Sequence, residues 1–230
     1  MMDFLYPFLS LFGLVVTSLV VGVAATPAVW LVRRAIERAS TISDWLGALL
    51  IGLALGAGYV LFGVTAMLLV IVLRFVLRLR NREGSGYFYQ PALFLSAINN
   101  YLIHIVHFLF LPLVRGTPPL IWFYRALGAK IGKNSFVMST RIWDLDMLEI
   151  GDNSVIGGNV GISAHAVEGT KGTMSKVRIG NNVSIGADTL ILPGVTIEDN
   201  VIVGAKSLIP KGAVLEKDSL YGGVPVRKIR

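Results

Sequence analysis

The chain has 230 residues, of which 54% are hydrophobic and only 15% charged, with 21 Lys and Arg against 14 Asp and Glu and a mean hydropathy of +0.68. Soluble domains average about a quarter charged residues, so this composition argues against a wholly water-soluble globule and indicates that part of the chain lies in lipid. The absence of cysteine excludes disulfide bonds, thiolate nucleophiles and cysteine-based zinc sites.

Two long stretches, residues 4–32 and 45–73, carry no charged side chain. At roughly 1.5 Å per residue, a helix of either length exceeds a hydrocarbon core of about 30 Å. The first stretch could also be a signal peptide cleaved after Ala24-Ala25, but it lacks a basic start and is longer than such peptides. The second is rich in glycine, which suits close helix packing in a bilayer. We therefore predict a transmembrane helical hairpin over residues 1–83.

Each apolar stretch is followed by a cluster of arginines. The first cluster is Arg33, Arg34 and Arg38, and the second is Arg74, Arg78, Arg80 and Arg82. Such clusters favour the cytoplasmic leaflet, yet these two lie at opposite ends of the second stretch, so the pattern alone leaves the topology open.

Residues 84–128 are predicted to form an amphipathic interfacial linker. Residues 91–113 are apolar but carry polar side chains, among them Asn100, His104 and His107. Amides and imidazoles are costly in hydrocarbon, so an interfacial helix is favoured, with a third membrane span as the alternative. The two histidines lack a third ligand nearby, and we predict no metal site.

From residue 129 the apolar residues recur every six positions. The repeated residues are Ile150, Ile156, Ile162, Ile179, Ile185, Ile191, Ile197, Val203 and Ile209. A six-residue period matches no helix and is typical of a β-solenoid in which three hexads form one coil. We predict about four coils over residues 129–230, with these aliphatic side chains inside. Glycines and asparagines should take the corners, where positive φ is cheapest for those residue types. The asparagines are Asn153, Asn159, Asn181, Asn182 and Asn200.

The repeat is interrupted twice, by one extra residue near Trp143 and by the polar segment 163–176. We predict that segment 163–176 is a loop leaving the solenoid, and loops on rigid scaffolds are where function concentrates. His165, the only histidine of the solenoid, lies at the base of this loop. It is the candidate functional residue, although a loop-packing histidine is an equally open interpretation.

Two segments resemble a known family. Residues 177–230, which include VRIGNNVSIGADTLILPGVTI, are similar to the C-terminal part of hexapeptide-repeat acyltransferases such as sugar and xenobiotic acetyltransferases, and NVGISAH resembles their segment ending in the active-site histidine. Residues 113–142, LVRGTPPLIWFYRALGAKIGKNSFVMSTRI, resemble the membrane-attached hexapeptide domain of nonribosomal peptide synthetases such as those making ε-polylysine.

The resemblance implies a left-handed parallel β-helix, usually trimeric, with acyl-CoA in a groove between subunits. Handedness comes from the family alone, since the general preference for right-handed crossovers argues the other way. His165 matches the family's general base. The positions that match the donor groove are Gly186, Ala187, Gly204 and Ala205, and those near the CoA phosphates are Lys211, Arg227 and Arg230.

The implied function is a membrane-bound acyltransferase that moves an acyl group, with acetyl-CoA as the expected donor, to a hydroxyl or amine of a sugar, lipid-linked or peptide acceptor. Three departures from the family pattern leave the donor open to a longer acyl-CoA or a carrier-protein thioester. They are Ser184 in place of an aromatic residue, Glu198 in place of glycine, and a final Gly223-Val224-Pro225-Val226-Arg227.

The alternative function is a non-catalytic trimeric membrane scaffold in which His165 is incidental. A carbonic anhydrase of the γ type is excluded because it needs three zinc-binding histidines on adjacent coils. Nucleic-acid binding is not expected, because the arginines flanking the apolar stretches account for most of the basic excess. A CoA donor is cytosolic, so we expect a protein of the cytoplasmic membrane with its β-helix facing the cytoplasm.

Overall fold

The N-terminal part of the chain is a helical hairpin. The computed structural model describes residues 2–87 and 91–230, and in it helix α1 spans Met2–Ala39 and α2 spans Asp44–Val76. The helices approach closely at Gly58, where a Cβ would touch Ala28 at 3.6 Å. Both helices are long and apolar enough to cross a bilayer, and most of their large side chains are exposed. The predicted apolar stretches lie inside these helices.

Two further helices connect the hairpin to the C-terminal domain. Helix α3 spans Pro91–Leu109, a 3₁₀ turn spans Leu111–Val114, and α4 spans Pro118–Ala126 with its prolines in the first turn. Phe110 fills the space above Gly63 of α2, where a Cβ would overlap its ring. Helix α4 buries one face against the first coil of the β-helix. The connecting helices therefore pack on both the hairpin and the β-helix.

The C-terminal domain is a parallel β-helix with three faces. The first face contains β2 (Lys130–Ile131), β4 (Leu148–Ile150), β9 (Val177–Ile179), β12 (Thr196–Ile197) and β15 (Val214–Leu215). The second contains β3 (Phe136–Val137), β5 (Val155–Ile156), β10 (Ser184–Ile185), β13 (Ile202–Val203), β16 (Leu220–Gly222) and the antiparallel β17 (Arg227–Lys228). The third contains β6 (Gly161–Ile162), β11 (Leu190–Ile191) and β14 (Leu208–Ile209).

The hexad prediction is confirmed by the core. All nine predicted aliphatic residues are buried, with at most 4% of their surface exposed. Each pairs with its counterpart one coil away, as Ile179 does with Ile197 and Ile197 with Leu215. A second buried position follows in each hexad. It is occupied by Val160, Val183, Thr189, Val195, Val201 and Ser207. Two buried positions per hexad fill the narrow interior.

Two different structural features form the corners: residues with positive φ, and side chains that hydrogen-bond to neighbouring coils. Positive φ is found at Asn153, Asn159, Asn182 and Asn200, as predicted. The prediction is wrong for Asn181, whose side chain instead accepts from the Asp152 amide and donates to Asp199 on the next coil.

Gly194 and Gly212 have positive φ, as predicted, whereas the glycines that directly follow a buried aliphatic residue do not; these are Gly151, Gly157, Gly180 and Gly186. At Gly151 a Cβ would lie 2.6 Å from Oδ1 of Asn181, because the next coil passes directly over it. These glycines are therefore required for close approach of the coils.

The insertion that was predicted as a loop is a β-hairpin. Strands β7 (His165–Glu168) and β8 (Lys171–Met174) pair antiparallel, and β1 (Gly84–Tyr87) adds to β8 as a third strand. The segment leaves the solenoid as predicted, but its structure as a loop is wrong, and the strand at 84–87 was not foreseen. Gly169, with φ +62°, makes the turn.

The close approach of coils predicts contrasting effects at two adjacent glycines. A Cβ at Gly157 would lie 2.7 Å from the carbonyl oxygen of Ile185, whereas one at Gly158 meets nothing within 4 Å. Gly157→Ala should therefore lower stability by about 1–3 kcal/mol, and Gly158→Ala should change it by less than about 1 kcal/mol. Thermal unfolding of the detergent-solubilised chain measures both, and equal effects of the two substitutions would contradict this packing.

Candidate functional site

His165 forms a short hydrogen bond with a buried carboxylate. Its Nδ1 lies 2.5 Å from Oδ2 of Asp144, whose side chain is fully buried while 37% of the histidine side chain is exposed. Ser163 Oγ also lies 3.3 Å from Nδ1. An ionised carboxylate can only accept, so Nδ1 carries the hydrogen and Nε2 of the neutral ring keeps its lone pair. The exposed part of the ring therefore offers a base.

Four donors surround the Asp144 carboxylate. Oδ1 accepts from Nδ2 of Asn100 at 2.6 Å and from Nδ2 of Asn81 at 3.4 Å. Oδ2 accepts from the backbone amide of Ala164 at 3.2 Å as well as from His165. A buried charge is stable only when its lone pairs are occupied in this way. The network fixes the carboxylate and, through it, the plane of the imidazole.

Asn100 holds Asp144 from two sides. Its Nδ2 donates to the Asp144 side chain, and its Oδ1 accepts from the Asp144 backbone amide at 3.1 Å. Asp144 has a φ of +56°, a left-handed conformation that aspartate tolerates better than most residues. Because Asn100 lies on α3, the connecting helix takes part in positioning the histidine.

The segment that contains Asp144 and Asp146 also contacts the end of helix α2. Arg74, in the last turn of α2, forms a salt bridge of 2.8 Å between Nη2 and Oδ2 of Asp146, and both side chains are largely buried. Arg74 Nη1 also donates to the carbonyl of Leu127. The backbone amide of Asn81 donates to Oδ2 of Asp146 at 2.8 Å. Two residues of one loop, Asp144 and Asp146, thus connect the hairpin and α3 to the site.

The charge of Asp144 changes the acidity of the histidine. The hydrogen bond from Nδ1 to the carboxylate raises the pKa of His165 above its ordinary value, against the opposing effect of burial. The neutral imidazole, the form that can accept a proton, is therefore populated at higher pH than for an isolated histidine.

The predicted donor-groove residues lie together at one corner. Gly186 and Ala187 follow β10, and Gly204 and Ala205 follow β13 one coil away. A Cβ at Gly186 would lie 2.3 Å from the backbone nitrogen of Ala205, so only glycine fits there. Both alanines are exposed. The corner therefore presents two small exposed side chains that are one coil apart.

The predicted phosphate-binding residues lie elsewhere. His165 comes shortly after β6 and Lys211 shortly after β14, and both strands belong to the third face. These strands are two coils apart, so the two residues lie roughly 10 Å apart along the axis. Nζ of Lys211 lies 3.2 Å from Oε2 of Glu168 on the hairpin. Arg227 and Arg230 are exposed on the C-terminal segment. Within one copy, the corner with His165 and Lys211 differs from the corner with the alanines.

Sequence reasoning missed Asp144, Asn100 and Asn81 as site residues. One signal was available, since the extra residue near Trp143 marks where the repeat departs from its period. Ile131 pairs with Ile150, 19 residues further on, whereas in the uninterrupted coils after the insertion the register is 18, as between Ile179 and Ile197. Asp144 occupies this irregular segment.

Comparisons with known proteins identify the repeat. Residues 176–211 match the family model described as "Bacterial transferase hexapeptide (six repeats)", and residues 148–169 match "Hexapeptide repeat of succinyl-transferase". Delta-poly-L-ornithine synthetase of Acinetobacter baumannii is 30% identical over 140 residues, which are 60% of this chain and 10% of that protein. "Putative acetyltransferase YvoF" of Bacillus subtilis is 34% identical over 116 residues, 47% of this chain and 63% of that protein. The chain spans less than two thirds of the length of either relative.

Two solved structures are also partly similar to this chain. The maltose O-acetyltransferase of Clostridium difficile 630 gives a TM-score of 0.46 at 23% identity, covering 64% of this chain and 92% of that one. A galactoside acetyltransferase in complex with coenzyme A gives 0.46 at 23% identity, covering 70% and 90%.

The Asp144 contact predicts the direction of a titration. In the parent protein, NMR should place the pKa of His165 above the ordinary value near 6.5. In Asp144→Asn the pKa should fall, because burial then acts without the opposing carboxylate. Glu168→Gln, on the same hairpin but bonded to Lys211, should leave it nearly unchanged. An unchanged pKa in Asp144→Asn would contradict the assigned contact.

Proposed function

We propose that this chain, whose C-terminal domain belongs to the hexapeptide-repeat acyltransferase family, is a membrane-bound enzyme that transfers an acyl group from a CoA-type thioester to an acceptor hydroxyl or amine. The observation that carries the proposal is the pair of His165 and Asp144, with Nε2 of the histidine left free to act as a base. A buried carboxylate held by four donors is an expensive arrangement for a purely structural histidine.

The proposed reaction is a direct transfer. The oxygen or nitrogen of the acceptor attacks the thioester carbonyl while Nε2 of His165 accepts the proton from that atom. A neighbouring backbone amide stabilises the oxyanion that forms. The carbon–sulfur bond then breaks, and the leaving CoA sulfur takes the proton from the imidazolium. Asp144 stabilises the imidazolium while it carries the proton. Activity should fall at pH values below the raised pKa of His165, where the base is already protonated.

The donor would lie across two copies of the chain. His165 and Lys211 share one corner of the β-helix, while Ala187 and Ala205 share another, so a second copy would bring the two sets together. An exposed apolar stripe on the second face supports lateral packing. It consists of Phe136, Val155 and Ile202, which are 44%, 41% and 53% exposed, with the small Ser184 between the last two. We propose a homotrimer of left-handed β-helices, with acetyl-CoA as the donor in a groove between subunits.

The membrane placement is part of the same proposal. The two apolar helices α1 and α2 would span the cytoplasmic membrane as a hairpin. The arginines after α2 would then lie at the cytoplasmic surface, and the β-helix would face the cytoplasm, where CoA is available. The hairpin, the linker and the β-helix would correspond to residues 1–83, 84–128 and 129–230.

Substitutions should separate the base from the donor site. His165→Ala should lower the turnover number by about 10²–10⁴-fold and leave donor binding nearly unchanged, since a positioned base acts on the chemical step. Lys211→Ala and Arg227→Ala should raise the KM for the donor by the equivalent of about 1–3 kcal/mol, with turnover little changed, because each removes a charge-assisted contact. The turnover number and the KM are both measured from the rate at which acyl transfer or thioester hydrolysis releases free thiol.

A surface lysine provides the control for charge. Lys217→Ala removes an exposed cation that lies outside both proposed sites and should change neither parameter. If His165→Ala retains the parental rate, the histidine is an ordinary loop residue and the non-catalytic trimeric scaffold is the better account.

A further inference from the structure

A large cavity lies where the hairpin meets the β-helix. Its volume is about 1660 Å³, and it is bounded by the end of α2, the segment 78–83, and the loop that carries Asp146 and Met147. None of the family's donor-groove positions lines it. The cavity therefore requires its own explanation.

One part of the wall is strongly basic. The basic residues are Arg74, Arg78, Arg80, Arg82 and Lys176, against the acidic Glu83 and Asp146. Arg74 is neutralised by Asp146. The other three arginines are exposed, and none forms an ion pair in the part of the chain that the structure describes. Three arginines without an ion pair, against the single remaining carboxylate of Glu83, favour an anion, and guanidinium groups match phosphate in particular.

The adjoining wall is apolar and exposed. Phe75, Val76 and Val72 on α2 are 82%, 66% and 54% exposed, and Leu95 on α3 is 47% exposed. These side chains continue the apolar surface of the helix that we propose to span the membrane. A small hydrophilic anion would leave this surface uncovered, whereas a ligand with a hydrocarbon chain would cover it.

The polar atoms of the wall are also incompletely paired. Buried side-chain atoms without a hydrogen-bond partner are found in Arg74, Asn81, Asn99 and Asp146 among the described residues, and only Asn99 lies off the cavity. Asn81 is 9% exposed, and its Oδ1 has no partner. Buried polar groups in folded proteins are nearly always paired, so three side chains with an unpaired atom around one cavity are an unusual concentration of polar groups beside it.

The wall and the proposed base share a residue. Asn81 lines the cavity, and its Nδ2 donates to the same Asp144 carboxylate that accepts from His165. Asp146, also in the wall, lies two residues from Asp144. Lys176 lies at the end of the insertion that begins beside His165. A ligand head among the arginines would thus lie against the segments that hold the site.

We propose that this cavity is the acceptor site and binds a phosphate-bearing amphiphile, with the phosphate among Arg78, Arg80 and Arg82 and the hydrocarbon chain along the exposed side of α2. The inference rests on the proposed function, because it names the class of molecule that the enzyme acylates. It explains why an acyltransferase domain is joined to a membrane hairpin through a basic segment.

Binding of a simple probe tests the proposal without the reaction. Native mass spectrometry of the full chain in neutral detergent should detect bound dodecyl phosphate, and far weaker binding of dodecanol or inorganic phosphate. The double variant Arg78→Gln/Arg82→Gln should raise the dissociation constant by about tenfold or more, as expected for two lost charge-assisted contacts. The matched control Arg34→Gln/Arg38→Gln, at the other arginine cluster, should bind as the parent does.

Three results in the binding experiment would overturn the proposal. Equal binding of inorganic phosphate would indicate a site for a soluble anion, and equal binding of dodecanol would indicate apolar contact alone. Equal losses in both arginine variants would indicate general attraction to the detergent surface. His165→Ala should bind dodecyl phosphate as the parent does, so a failure of acyl transfer would leave this result standing. The Arg78/Arg82 variant could lose dodecyl phosphate binding and still transfer acyl groups to a phosphate-bearing amphiphile. That result would contradict the assignment of the cavity as the acceptor site and leave the proposed acyl transfer standing.

Discussion

The burial of one carboxylate, Asp144, is the constraint on which the arrangement of this molecule depends. A charge with no solvent contact must be met by protein donors, and here they come from three separated parts of the chain: Asn81 after the hairpin, Asn100 on α3, and the Ala164–His165 segment of the insertion. Removing one partner of a buried charge costs about 3–5 kcal/mol, so the carboxylate holds these parts in one arrangement.

The regular part of the β-helix serves as the scaffold for this arrangement. Coils that repeat with a register of 18 residues bury two side chains per hexad and leave little freedom. Function is proposed at the two irregularities, the extra residue near Asp144 and the hairpin that begins at His165. The β-hairpin is further held by β1, which lies shortly after helix α2 in the chain. The site is therefore supported from both sides, by the β-helix below and by the helical part above.

Much of the fold could be predicted from the sequence because it depends on local periodicity. The six-residue spacing identified the residues of the β-helix core, and the two uncharged stretches identified α1 and α2. The pairing of Gly84–Tyr87 with β8 could not be predicted, because Gly-Ser-Gly-Tyr has no strand pattern and its partner is some 90 residues away. The contact between Asn100 and Asp144 was missed for a similar reason, since it exists only after α3 docks on the first coil. His165 could be selected as a candidate because it is the only histidine of the predicted β-helix and lies at the base of its long insertion.

The claim that Asn100 and Asp144 act together on His165 is tested most directly by a double-mutant cycle on thioester turnover. If His165 is the base as proposed, Asn100→Ala should slow turnover by about 10- to 100-fold relative to the parent protein, because it misplaces the proposed base. In the Asp144→Asn background, the same substitution should have almost no further effect, because the link that it breaks is already lost. Equal losses in both backgrounds would show that Asn100 acts independently of Asp144, and would contradict the account.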